Sequence, residues 1–330
     1  MSVLSRIYEE GFVSVSRREF LASAAALAGA DSKMALPTRT LGKTGFKASI
    51  LAFGGDSRFL SHKEEDKAIE VVKRALDLGI NYIDTSDDYG ASEERIGKAL
   101  KGYDRKRIFL ATKVSNRNGA AVAALVERSL KRLGVDQLDL IHIHTLIDDA
   151  DLVKIEAPGG PLEVLQKMKD QKLTRFIGIT SHTAPLALQK ALERHDFDCT
   201  QMALNAAQAN MTNGRGGMVP NAAILDAFES TALPVAVRKR MGIIAMKIFA
   251  QDAIAGQAEA TPRNLLYYTL SLPVTAAVVG FPKLEHLEED VKLIKAFKPL
   301  PKSEMRRLSQ LLSQRNKTAL DRHFRTHIDA

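Results

Sequence analysis

Four side chains in this 330-residue chain have types and spacing suited to one proton-transfer reaction: Asp84, Tyr89, Lys113 and His144. A phenol titrates near ~10 and is a poor proton donor or acceptor at neutral pH. A neighbouring ammonium stabilises the phenolate. A lysine inside a fold needs a carboxylate partner, because burying it unpaired is expensive, and Asp84 can be that partner. A neutral imidazole beside the phenol can orient a carbonyl oxygen or assist the transfer. Together they suit protonation of a carbonyl oxygen while hydride reaches its carbon. The hydride must come from a nicotinamide, since no side chain donates one.

Such side chains converge only if the elements carrying them end on one surface. After residue 37 the chain alternates β-rich runs with amphipathic helical stretches. The strand candidates are 49–53, 82–86, 108–114, 138–144, 175–180, 200–204, 242–248 and 276–279. The helical candidates are 64–78, 92–101, 119–133, 161–171, 184–194, 220–240, 262–271 and 285–297. In 119–133, Val122, Leu125, Val126, Leu130 and Leu133 recur on one face, as an amphipathic helix requires. Eight strand–helix units predict an α/β fold, a closed (β/α)8 TIM barrel, whose chemistry sits at the C-terminal strand ends. Asp84, Lys113 and His144 fall at three such ends, and Tyr89 in the loop after the second. Leu41-Gly42-Lys43-Thr44-Gly45 predicts a β-hairpin in front of the barrel. A doubly wound sheet would show a glycine-rich phosphate loop after its first strand, and Phe53-Gly54-Gly55-Asp56 is not that loop.

The motifs are Arg39-Thr40-Leu41-Gly42-Lys43-Thr44-Gly45, the run Gly79 to Gly90 containing Asp84-Thr85-Ser86-Asp87-Asp88-Tyr89, Thr112-Lys113, and Asp139-Leu140 followed by His144. On these the chain resembles the aldo-keto reductase superfamily from about Pro37 to Phe297. The resemblance implies a nicotinamide-dependent reduction of an aldehyde or ketone, with NADP(H) favoured over NAD(H). It places Thr180-Ser181 near the nicotinamide amide, where the family usually has Ser-Asn, and Gln201 at the start of the sixth strand. Met246-Lys247 ends the seventh strand. Gly280, Lys283, His286, Glu289 and Asp290 mark the phosphate and adenine end, with His286 where NADP-preferring members often carry arginine. Gly54, Gly55 and Asp56, at the end of the first barrel strand, complete the cofactor-binding candidates. Other readings stand beside this one. Asp84 and Lys113 could form a purely structural ion pair. Barrels of the superfamily also serve as slowly turning-over binding subunits. His142, His144 and His182 could instead bind zinc for hydrolysis.

Residues 1–30 carry an address. Arg17-Arg18 before Phe20-Leu21, a short alanine-rich run and Ala28-Gly29-Ala30 resemble a twin-arginine export signal. The run is too short to span a bilayer stably. The expectation is export to the periplasm or cell exterior through the twin-arginine machinery, with 31–37 a linker and 38–330 the barrel with a basic C-terminal helix. The formal charge is +8. Residues 298–330 contribute eight basic against three acidic side chains, interspersed with Met305, Leu308, Leu311 and Leu312 at helical spacing. That is a solvated helix face, so no nucleic-acid partner is expected. The lone Cys199 excludes an intrachain disulfide and reads as a core residue. His62 and His195 read as surface residues, and the loop 145–160 as part of a substrate-pocket wall.

Overall fold

The computed structural model describes residues 35–211, 218–220, 226–250 and 259–315. The export-type segment, most of the linker, Gly214–Gly217 and the chain after 315 lie outside the described residues. The described chain opens on the antiparallel pair β1 (Thr38–Thr40) and β2 (Lys47–Ser49). A short turn at Gly42–Thr44 joins them and ends at Gly45, whose φ of +74° suits glycine. Next come β3 (Leu51–Gly54), β4 (Tyr82–Asp84), β5 (Phe109–Val114), β6 (Leu138–Ile143), β7 (Thr174–Ser181) and β8 (Cys199–Ala203). A second antiparallel pair, β9 (Ala209–Met211) and β10 (Met218–Pro220), was not anticipated. β11 (Gly242–Met246) and β12 (Ala276–Val279) complete the sheet. The order β3-β4-β5-β6-β7-β8-β11-β12 closes on itself through parallel pairs, giving the expected barrel with its hairpin.

Alternation along these strands sorts the barrel interior into layers. Tyr82, Phe109 and Phe176 stack at its floor, with ring centroids 5.3 and 6.0 Å apart. Leu41, Phe46 and Ala48 of the hairpin pack against this floor with Cys199. Asp84, Lys113, His142 and Gln201, further along the same strands, are all buried. The interior is therefore greasy at the hairpin end and polar at the strand C-termini. Gly178 is required within it: a Cβ there would press on His142, with Cε1 at 2.6 Å and the Cys199 carbonyl oxygen at 2.8 Å.

The outer helices follow from ordinary signals. Gly119–Leu133 is capped by the Asn118 side chain, ends at left-handed Gly134, and buries Val122, Val126 and Leu133. The C-terminal helix Lys302–Arg315 buries Leu308 and Leu312 and leaves Arg306 and Arg307 exposed. The expected helix 220–240 is shorter among the described residues, Ala232–Arg238. Pro234 accounts for the late start, since proline is tolerated only in a first turn. The loop 145–160 contains a helix, Asp149–Glu156, capped by Asp148, whose side chain accepts from the Asp151 amide. His62 is not a free surface residue, because its Nε2 lies 2.8 Å from the Phe281 carbonyl oxygen.

Candidate active site

The open end of the barrel brings all four reactive side chains together. Lys113 Nζ, almost wholly buried, donates to Asp84 Oδ2 at 2.5 Å and to the Thr85 carbonyl at 2.8 Å. The same ammonium sits 4.7 Å from the centroid of the Tyr89 ring. The His144 ring packs edge-on against Tyr89 at 5.7 Å. The loop carrying Tyr89 is tied to the neighbouring strand by Thr85 N to Ala111 O and Asp87 N to Lys113 O. Arg117 holds the other side, donating to the His144 and Thr145 carbonyls while forking onto Asp151.

Electrostatics reflect the burial. Desolvation pushes the Asp84 carboxyl up, against the pull of the Lys113 ammonium and the Gln201 side chain. Desolvation likewise holds the His144 imidazole below its usual range, opposed by Asp88. His142, fully buried beside Lys113, is pushed further down and is a neutral wall residue. Among the described residues no cluster of three or more His, Cys, Asp or Glu side chains is arranged to hold a metal ion.

The remaining candidates divide. A cleft of about 270 Å³ is lined by Asp56, Lys247, Gly280, His286, Glu289 and Asp290, all expected there. Lys247 Nζ lies 3.7 Å from Asp56 Oδ2. Asp290 is buried, and burial with the Glu289 charge lifts its carboxyl to about 7. Lys283 is exposed and does not line the cleft; Arg58, missed in the sequence, does. The Thr180 and Ser181 hydroxyls, expected near a nicotinamide amide, also make local hydrogen bonds. Thr180 Oγ1 accepts from the Thr145 amide at 2.8 Å, and Ser181 Oγ donates to the Leu146 carbonyl at 2.7 Å. His182 follows them and its ring lies 6.0 Å from that of His144. Gly55 answers to packing, since a Cβ there would lie 2.5 Å from Ser92 Oγ. Gly54 pairs with Asp84 in the barrel register.

These residues fit a nicotinamide dinucleotide. Gln201 Oε1 and His144 Nε2 are buried polar atoms at the reactive end with no hydrogen-bond partner among the described residues, and buried polar groups call for one. The cleft adds Arg58, Lys247 and His286 for phosphate and the carboxyls of Glu289 and Asp290 for a base edge. The sequence reading also missed Ser86, Asp88 and Ser115, which surround His144 Nδ1. Ser86 and Asp88 flank the motif residues already chosen, and only the fold shows that they face the imidazole.

Comparison with known proteins gives the same direction. Residues 51–265 match the model of the aldo/keto reductase family. L-galactose dehydrogenase of Arabidopsis thaliana is 37% identical over 154 residues, 43% of this chain and 47% of that protein. Pyridoxine 4-dehydrogenase of Escherichia coli is 30% identical over 185 residues, 52% of this chain and 63% of that protein. The chain thus spans about half to two thirds of the length of these two relatives. The holo form of an aldo-keto reductase from Bacillus halodurans superposes with a TM-score of 0.66 at 23% identity, covering 84% of this chain and 97% of that one, a likeness of fold. Barrel, strand-end chemistry and a match over most of the sheet agree: the chain belongs to the aldo/keto reductase family.

Proposed function

We propose that this protein interconverts a carbonyl compound and its alcohol, reducing an aldehyde or ketone with Tyr89 as the proton donor. The observation that carries this reading is the Lys113 ammonium, held by Asp84 and the Thr85 carbonyl and set against the Tyr89 ring. That cation favours the tyrosinate left when the phenol gives up its proton. Asp84 keeps the cation in place, and His144 lies beside the phenol where a substrate oxygen would approach. Nicotinamide, when bound, supplies or takes the hydride. NADP(H) is preferred over NAD(H), because Arg58 and Lys247 offer positive groups in the cleft. The dehydrogenase names of two relatives support the alcohol–carbonyl couple.

Tyr89→Phe should abolish aldehyde-dependent NADPH oxidation while leaving NADPH binding within about twofold, since the ring packing survives. Normal turnover by this variant would overturn the assignment. The twin-arginine segment is proposed to route the loaded barrel out of the cytoplasm. Fractionation of cells expressing Arg17→Lys/Arg18→Lys should show retention, and equal distribution of variant and parent would defeat export.

A further inference from the structure

The chain leaves β6 through a strained turn. Thr145, the residue after His144, has a φ of +53°, a region that β-branched residues rarely enter. Among the described residues it is the one β-branched side chain at positive φ. Such a conformation persists only where its surroundings hold it. Thr180 of β7 holds one side. Its Oγ1 accepts from the Thr145 amide at 2.8 Å, and its carbonyl accepts from the Leu146 amide at 2.8 Å.

Arg117 holds the other side. Its Nε and Nη2 fork onto Asp151 at 2.9 and 2.8 Å, and its Nη1 donates to the Ser115 carbonyl at 3.2 Å. The second Nη2 hydrogen is shared by the His144 carbonyl at 2.8 Å and the Thr145 carbonyl at 3.0 Å. Along an extended strand, successive carbonyls point to opposite sides. These two reach one donor because the chain turns left-handed at Thr145. Asp151 is buried and Arg117 half-buried, so water competes little for these bonds.

We propose that Arg117 is a positioning residue: by holding the His144 and Thr145 carbonyls together it keeps Thr145 left-handed and so fixes the His144 imidazole beside Tyr89. The proposal rests on the oxidoreductase reading above. The imidazole packs against the Tyr89 ring at 5.7 Å, and its Nδ1 lies 3.0 Å from Ser115 Oγ. Arg117 grips the backbone at both ends of that second contact, through the Ser115 carbonyl and through that of His144 itself. Without the guanidinium, Thr145 relaxes toward negative φ and the peptide joining it to His144 turns with it. The imidazole then shifts against the phenol, and a substrate oxygen placed between them loses its alignment. Lys113 and Asp84, which tune Tyr89, are held by bonds of their own on β5 and β4. The cofactor cleft is lined by Asp56, Lys247, Gly280 and other residues remote in sequence from this turn. The loss therefore falls on turnover and not on cofactor affinity. A strut for the helix Asp149–Glu156, acting through Asp151, is a different role, and position 145 separates the two.

Arg117→Lys keeps a cation for Asp151 but loses the planar fork. With NADPH and 4-nitrobenzaldehyde its kcat should fall about tenfold, while the NADPH Kd, read by NADPH fluorescence, stays within about twofold. Glycine adopts positive φ without penalty. In the Thr145→Gly background the same Arg117→Lys change should therefore cost less than about threefold, a coupling that a double-mutant cycle reads directly. A strut for the helix would lose equally in both backgrounds. NMR of ligand-free, histidine-labelled protein reports the ring itself, with His144 identified by its loss in His144→Gln. Its ring-proton shifts, set by the Tyr89 ring packed against it, should move in Arg117→Lys and move less in the Thr145→Gly background. If Arg117→Lys does not fold, Arg117→Gln/Asp151→Asn, which strands no charge, takes its place in the same cycle. An unchanged kcat, or equal losses in the two backgrounds, overturns the proposal. Absence of any nicotinamide-dependent turnover by the wild type would sink the oxidoreductase reading instead, while the NMR shifts of the ligand-free protein would still decide the brace.

Discussion

Replacing Lys113 by methionine removes the ammonium from Asp84 and leaves a carboxylate in a site where the two side chains are 1% and 4% exposed. At 2.5 Å and an effective dielectric of about 20, their attraction amounts to roughly 7 kcal/mol. Desolvation of the two ions offsets most of this, so the pair as a whole contributes little net stability. Deleting one partner is different, because the remaining charge keeps its desolvation cost; the expected loss is about 3–5 kcal/mol. Asp84 can escape that cost by taking up a proton, and burial already favours its neutral form. In the variant its folded pKa lies further above the unfolded value of about 3.9. Stability tied to this group is then fully present below about pH 4 and is lost at about 1.4 kcal/mol per unit as pH rises through the folded pKa. Urea unfolding followed by far-ultraviolet circular dichroism at pH 4.5 and pH 8 reads the difference. Lys113→Met should be near wild type at the lower pH and short by the full amount at the higher one. The double variant Asp84→Asn/Lys113→Met, which buries no charge, should recover most of the loss at pH 8. A deficit equal at both pH values, or a double variant as unstable as the single, would refute the reasoning.

Two further outcomes follow from the geometry. Gly178→Ala places a Cβ against His142 and the Cys199 carbonyl. Because one neighbour is backbone, the barrel must shift, at a cost of about 1–3 kcal/mol, readable as a lower Tm. Asp290, lifted to about 7, contributes stability that is present below about pH 4 and lost as pH rises through 7. Asp290→Asn should flatten the pH dependence of urea midpoints between pH 4 and pH 8, and an unchanged profile would exclude the buried carboxyl as its source.

The parts of the site legible in the sequence were those carried by strand ends. Asp84, Lys113 and His144 each close a β-rich run, and the period of two puts them on the inner face with Tyr82, Phe109 and Leu140 behind them. The parts that were not legible depend on loops crossing between strands. Arg58 belongs to none of the helical runs read from the sequence; it lies in the short helix Ser57–Leu60 and lines the cleft. Lys283, expected at the phosphate end, precedes the helix Leu284–Lys295, is exposed and lies outside the lining of the cleft. Thr180 and Ser181 matched a binding motif, and only the fold shows that their hydroxyls also bond the backbone of the loop after β6.

By itself, the order of alternating and helical runs determined a closed barrel, the face on which chemistry would gather, and the four side chains able to carry it. Those follow from local periodicity, which every short stretch of chain reports about itself. Which partner each polar atom finds was decided only by tertiary structure. A serine at 86 and a serine at 115 meet one carboxylate and one imidazole because β4, β5 and β6 lie side by side. Hydrogen bonds are short-ranged and directional, and the residues joined here are separated by as many as 58 positions in the chain.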